Sequence, residues 1–139
     1  MRIFISYAAK DRALATRIKD RLQKKDYLVF FAPDSVPVGA EFVTIIENAI
    51  VDASKDGAVV VLLTPNALRS EWVKREIVFA SHEGGRIIPI IVGDTKLDGI
   101  LMYELARMQA YRLPENPTDA EIDEMIDKIG RDVVKGYTQ

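Results

Sequence analysis

Glu76 stands where an apolar side chain is expected. In residues 70–80, SEWVKREIVFA, a helical advance of about 100° per residue spreads Trp72, Val73, Ile77, Phe79 and Ala80 across one arc, and Glu76 falls inside it, one turn after Trp72. A solvated carboxylate belongs on the opposite face. One held on the apolar side is either paired with a lysine or arginine or kept for chemistry. A fixed carboxylate can in general stabilise positive charge or move a proton, and spacing alone does not choose between them. Trp72, in most proteins a core or interface residue, would then serve as an aromatic wall.

Other chemistries find little support. No Gly-rich dinucleotide fingerprint follows the first apolar run, and no GxxxxGK phosphate loop is present. Gly84-Gly85 comes after a helical segment and reads as its stop. A Ser-His-Asp triad would have to recruit His82, the single histidine, whose place near that helix end is explained by the dipole or by exposure. With no cysteine there is no disulfide, thiol nucleophile or thiolate metal site, and with one histidine no metal centre is expected. Glu83 lies at the helix end, where solvent reaches it, and Glu41 opens another helix, where its charge favours the dipole.

These residues must be positioned by a chain of 139 residues, 48% of them hydrophobic, a length and content that suit a single domain over 1–139. The 19 basic and 21 acidic residues give a net charge of -2, so neither nucleic acid nor an anionic membrane is expected as a partner. The sequence becomes strand-like at Arg2, so no secretory leader is expected, and no apolar run approaches the roughly 18 residues of a membrane span. A cytoplasmic location is the expectation.

Five apolar runs predict strands at 2–6, 27–31, 58–63, 86–92 and 110–113. The third and fourth are nearly continuous, as central strands covered on both faces must be. Between the runs, Leu14, Ile18 and Leu22 recur at helical spacing after Asp11, a plausible N-cap, and Phe42, Ile45, Ile46, Ala49 and Ile50 do the same. Ser70 caps the helix that carries Glu76, a further helix falls within 97–108, and Thr118-Asp-Ala-Glu121 has capping-box form before Ile122, Met125, Ile126 and Ile129. This alternation predicts a mostly parallel α/β sheet with right-handed crossovers, whose ligands bind beyond the carboxyl ends of the strands. The segments to watch are therefore 7–11, 32–39 and 64–70, all expected to be loops.

Four stretches, in order and properly spaced, resemble a TIR domain, the Toll/interleukin-1 receptor homology family, over most of the chain. They are FISYAAKD at 4–11, similar to box 1; VFFAPDSVPVG at 29–39, similar to the second strand and BB loop; SEWVKRE at 70–76, similar to the box in which a tryptophan precedes a glutamate by four; and IIPII at 87–91, similar to the next strand. The resemblance implies a flavodoxin-like three-layer sandwich: a five-stranded parallel sheet of order 2-1-3-4-5 with helices on both faces.

Catalytic members of the family cleave the bond between nicotinamide and ribose in NAD+, and their essential glutamate matches Glu76. The resemblance thus implies an NAD+ nucleosidase releasing nicotinamide and ADP-ribose or a cyclic isomer, in a prokaryotic immune or cell-death pathway. NAD+ is the substrate and no cofactor is implied. It assigns substrate binding to Trp72 beside the nicotinamide or ribose and to Phe31 against the nucleotide, and places the loop after Tyr7, with Lys10 and Arg12, near the phosphates. Ser6 serves through its hydroxyl or only through its backbone. Asp34 is the acidic residue after the second strand, two positions later than the family commonly carries it. Many other members are noncatalytic adaptors, so a module that assembles with itself or other TIR domains through the BB loop is the alternative. A nucleotide sensor without turnover is a third.

Overall fold

The fold is taken from a computed structural model and is described for residues 1–31 and 40–138. Five parallel strands, β1 (Arg2–Ser6), β2 (Leu28–Phe31), β3 (Gly57–Leu63), β4 (Ile87–Val92) and β5 (Tyr111–Leu113), form one sheet in the order β2-β1-β3-β4-β5. Both the count and the order are those expected, with ends differing by one residue. All seven residues of β3 and all six of β4 are buried, which is why those runs lack polar alternation. The edge strands are shorter and partly open.

Six helices complete the α/β sandwich: α1 (Arg12–Lys24), α2 (Ala40–Asp56), α3 (Pro65–Leu68), α4 (Glu71–His82), α5 (Gly99–Leu105) and α6 (Asp119–Thr138). The chain moves one way across the sheet from β1 to β2 and the other way thereafter. Right-handed crossovers therefore send α1 to one face and α2, α4 and α5 to the other. The contacts agree: α2 packs on α4 and α4 on α5, while α6 returns to lie against α1. Across that second seam Arg17, Arg21 and Lys25, one turn apart, meet Asp119, Asp123 and Asp127 at 2.8, 2.6 and 2.6 Å.

The caps set where α4 begins and thus where Glu76 points. The Ser70 hydroxyl accepts from the Val73 N–H at 3.1 Å, and Gly84, at φ 70°, ends the helix as only a residue without Cβ does cheaply. The expected capping box is also present: Thr118 N–H donates to Glu121 Oε1 at 2.9 Å and Glu121 N–H to Thr118 Oγ1 at 3.2 Å.

Three local expectations need correction. Residues 64–70 hold a helical turn, α3, because Thr64 accepts from the Ala67 N–H and Pro65 fits a first helical position. Asp11 precedes α1 but does not cap it; its carboxylate accepts instead from Thr64 Oγ1 and from Asn66 Nδ2 at 3.0 Å, tying the loop after β1 to the one after β3. Ile45 is 52% exposed, since the inward stripe of α2 runs through Ile46, Ile50 and Ala53. Among the described residues no helix is long and apolar enough to cross a membrane.

Gly57 begins β3 opposite Arg2 of β1. A Cβ there would stand 1.6 Å from the Arg2 carbonyl oxygen, so any side chain forces the strands apart. Gly57→Ala is expected to cost about 2–3 kcal/mol in chemical denaturation, at the upper end of ordinary overpacking. Unchanged stability would show that the strands separate here without penalty.

Candidate active site

Glu76 lies on the inward face of α4, 3% exposed, at the carboxyl end of β1. Phe4 and Ser6 alternate with Ile3 and Ile5 along β1, so Ser6 faces the α2/α4 layer and its Oγ donates to Glu76 Oε1 at 2.8 Å. The Ser6 hydroxyl thus holds the Glu76 carboxyl. Glu76 Oε2 is buried and finds no hydrogen-bond partner among the described residues, and no lysine or arginine pairs with the group. The ordinary account of a buried glutamate does not apply to it.

Burial disfavours the charged form and pushes the Glu76 carboxyl up to about 8, against the hydrogen bond from Ser6 and the proximity of the Trp72 indole, which favour the anion. Trp72 Nε1 is itself buried without a hydrogen-bond acceptor among the described residues, so its influence on Glu76 is electrostatic rather than a formed bond. At neutral pH that burial favours the neutral acid. Trp72 is the only tryptophan in the chain, so its fluorescence against pH follows the adjacent carboxyl. An inflection near pH 8 is expected, moving up by about one pH unit in Ser6→Ala as a hydrogen bond to the anion is lost. An identical inflection in the variant would separate Ser6 from the titration.

Glu76 and Trp72 open into a cavity of about 180 Å³ between α2 and α4. Val43, Ile46, Ile50 and Phe79 form its apolar wall, and Glu47 and Arg75 bring charge to it. The Arg75 guanidinium lies 5.9 Å from the centre of the Trp72 ring, over one face of the indole. The volume is below the roughly 300–1,000 Å³ that encloses a whole drug-sized ligand. It takes one ring of a larger molecule.

The other candidates are not gathered around Glu76. Phe31 pairs in register with Ile5 and so stands on the α1 face; its ring stacks on Tyr7 at 4.6 Å, with Lys19 Nζ 5.1 Å and the Arg12 guanidinium 6.0 Å from its centroid. Tyr7 is 4% exposed, its ring used in that packing. Lys10 is exposed in a short 3-10 turn and lines a separate groove of about 670 Å³ with Asp11, Arg17, Thr64, Asn66 and Asp94, at the carboxyl ends of β1, β3 and β4. Asp34 lies outside the described residues, as does most of the BB loop. Sequence reasoning missed Glu47 and Arg75. The signal for Glu47 was the one used for Glu76: it sits inside the stripe Val43, Ile46, Ile50 of its own helix.

Comparison with known proteins places this geometry among relatives. The chain is 28% identical to Toll-like receptor 6 of Dasypus novemcinctus over 114 residues, 81% of this chain but 13% of that protein, so it spans about an eighth of that relative's length. Solved structures share the fold, two of them over nearly the whole chain. One is the CMP N-glycosidase BcmB of Clostridium botulinum, with a TM-score of 0.62, 20% identity, and coverage of 93% of this chain and 99% of that one. The other is the TIR domain of the activated Roq1 resistosome, with a TM-score of 0.65, 16% identity, and coverage of 95% and 98%. Residues 3–128 match the model of the TIR domain family, and on that extent of match, together with the strand order, the chain belongs to it.

Proposed function

We propose that this TIR domain is an N-glycosidase whose substrate is NAD+, with Glu76 as its catalytic carboxyl. One observation carries the reading: a buried carboxyl group at the wall of a largely apolar cavity, held by Ser6, with Oε2 unpartnered and no ion pair to the group among the described residues. A structural glutamate would be paired. The BcmB likeness supports N-glycoside cleavage as chemistry this fold can host.

Nicotinamide is already cationic in the substrate. The C1′–N bond breaks with its electron pair passing to the pyridine nitrogen, the ribose carbon becomes oxocarbenium-like, and water adds there and gives up a proton. No acid is needed for the leaving group. The cationic ring entering the cavity favours the anion, so Glu76 gives up its proton to solvent, and the resulting carboxylate stabilises the ribose cation and holds its hydroxyls. Attack by a group of the substrate itself in place of water gives a cyclic product. Cytosine, by contrast, leaves as a neutral base only after taking up a proton.

The test is nicotinamide release from NAD+, followed by chromatography at rising protein concentration, with CMP alongside. Nicotinamide appearing more than proportionally with protein is expected for a site completed by self-association through residues 32–39. Release of cytosine from CMP with NAD+ intact would transfer the reading to a different glycoside. The match to a Toll-like receptor favours a second reading, a module that assembles with other TIR domains without turnover. Intact NAD+ in a demonstrably assembled sample would select it. A cytoplasmic setting in immune or cell-death signalling fits either reading.

A further inference from the structure

The cavity that holds Glu76 has a second carboxylate in its lining, and it is on the opposite helix. Glu47 of α2 is partly buried and makes neither hydrogen bond nor ion pair among the described residues, although Arg75 lines the same cavity. Arg75 is engaged with the Trp72 ring instead. Two further polar atoms of lining residues lack partners among the described residues: Trp72 Nε1, a donor only, and Glu76 Oε2. A ring that fills the apolar volume therefore meets one unsatisfied donor and two unsatisfied carboxyl groups.

We propose that Glu47 is a specificity residue that accepts a hydrogen bond from the carboxamide of the leaving base, and so selects nicotinamide glycosides over their nicotinic acid counterparts. A primary carboxamide offers one acceptor, suited to the Trp72 N–H, and two donors, suited to carboxylate oxygens. A carboxylate in the same place offers acceptors alone and sets a negative charge against Glu47. Glu47 loses water on ligand entry, so a mismatched substituent is rejected more strongly than a surface contact would allow. The inference rests on the cavity of the proposed function but concerns recognition rather than cleavage.

Trp72 allows binding to be read without turnover. Its fluorescence is titrated with 1-methylnicotinamide and with 1-methylnicotinate, two methylated pyridinium rings differing only in carboxamide against carboxylate. The wild-type protein is expected to bind the carboxamide about 10–100-fold more tightly, the range for a hydrogen bond to a charged group. Glu47→Gln, isosteric but unable to repel an anion, is expected to shrink that preference about tenfold, and to shrink the preference for NAD+ over its nicotinic acid analogue in cleavage by a similar factor. An unchanged ratio in the variant, or no quenching by either ring at millimolar concentration, overturns the assignment. Cleavage of NAD+ with a ratio indifferent to Glu47 sinks this inference and leaves the function standing. A Glu47-dependent binding ratio with NAD+ left intact does the reverse.

Discussion

Glu76→Gln is expected to abolish nicotinamide release while leaving the fold in place. Gln retains an Oε1 that accepts from Ser6 Oγ, and it fills the same volume at the carboxyl end of β1, so the cavity wall between α2 and α4 survives. What it lacks is the negative charge that appears when a cationic ring displaces the proton. Removal of a preorganised electrostatic group costs about 10²–10³ in turnover. The wild-type kcat/KM is expected to rise with pH and level off near pH 8, where the free enzyme's carboxyl loses its proton. Steady-state rates and a circular dichroism spectrum of the variant check both halves. A folded Glu76→Gln that still releases nicotinamide within tenfold of wild type would remove Glu76 from the chemistry.

The same burial makes the protein less stable at high pH. Folded Glu76 keeps its proton up to about 8, while the unfolded chain releases it near the ordinary value of 4.5. Between these values the folded state binds more protons, so each rise in pH favours unfolding; below the window both states are protonated, and above it the loss is complete. The difference across the window is on the order of 5 kcal/mol, a large part of a domain's stability. Urea denaturation at pH 5, 7 and 9 should show wild type losing stability relative to Glu76→Gln, which has no such group to ionise. The difference between the two proteins isolates Glu76 from surface groups such as Asp119, whose carboxyl is lowered by Arg17 and Arg21 and titrates identically in both. Parallel stability profiles would mean that water or backbone motion solvates the Glu76 anion. A retained cost at pH 7 is the expected counterpart of a carboxyl kept ready for a cation.

The legible parts of this protein are those with local causes. Continuous apolar runs at 58–63 and 86–92 predicted buried central strands, because a strand covered on both faces has no side to leave polar. Ser70 and the Thr118–Glu121 box were readable as caps, since their partners lie three residues away. Glu76 was visible as a charge inside an apolar arc. The cap role expected of Asp11 failed because its carboxylate met Thr64 and Asn66, more than fifty residues on, and a bond of that span leaves no mark in spacing.

The amino-acid sequence by itself determined the alternation of strands and helices, the crossover hand that follows from it, the face of α4 that carries Glu76 and the boxes that mark the family. Tertiary structure alone decided what that carboxyl touches. Parallel pairing brought Ser6, seventy residues away, within 2.8 Å of it, and the packing of α2 on α4 closed the cavity that brings in Glu47 and Arg75. The alternation of β1 and β2 also sent Phe31 and Tyr7 to the α1 face, across the sheet from Glu76. Helical and strand periodicity act over a few residues and are written locally. Proton affinity, partnering and the shape of a cavity depend on which distant groups exclude water from one another, and that is settled only when the layers pack.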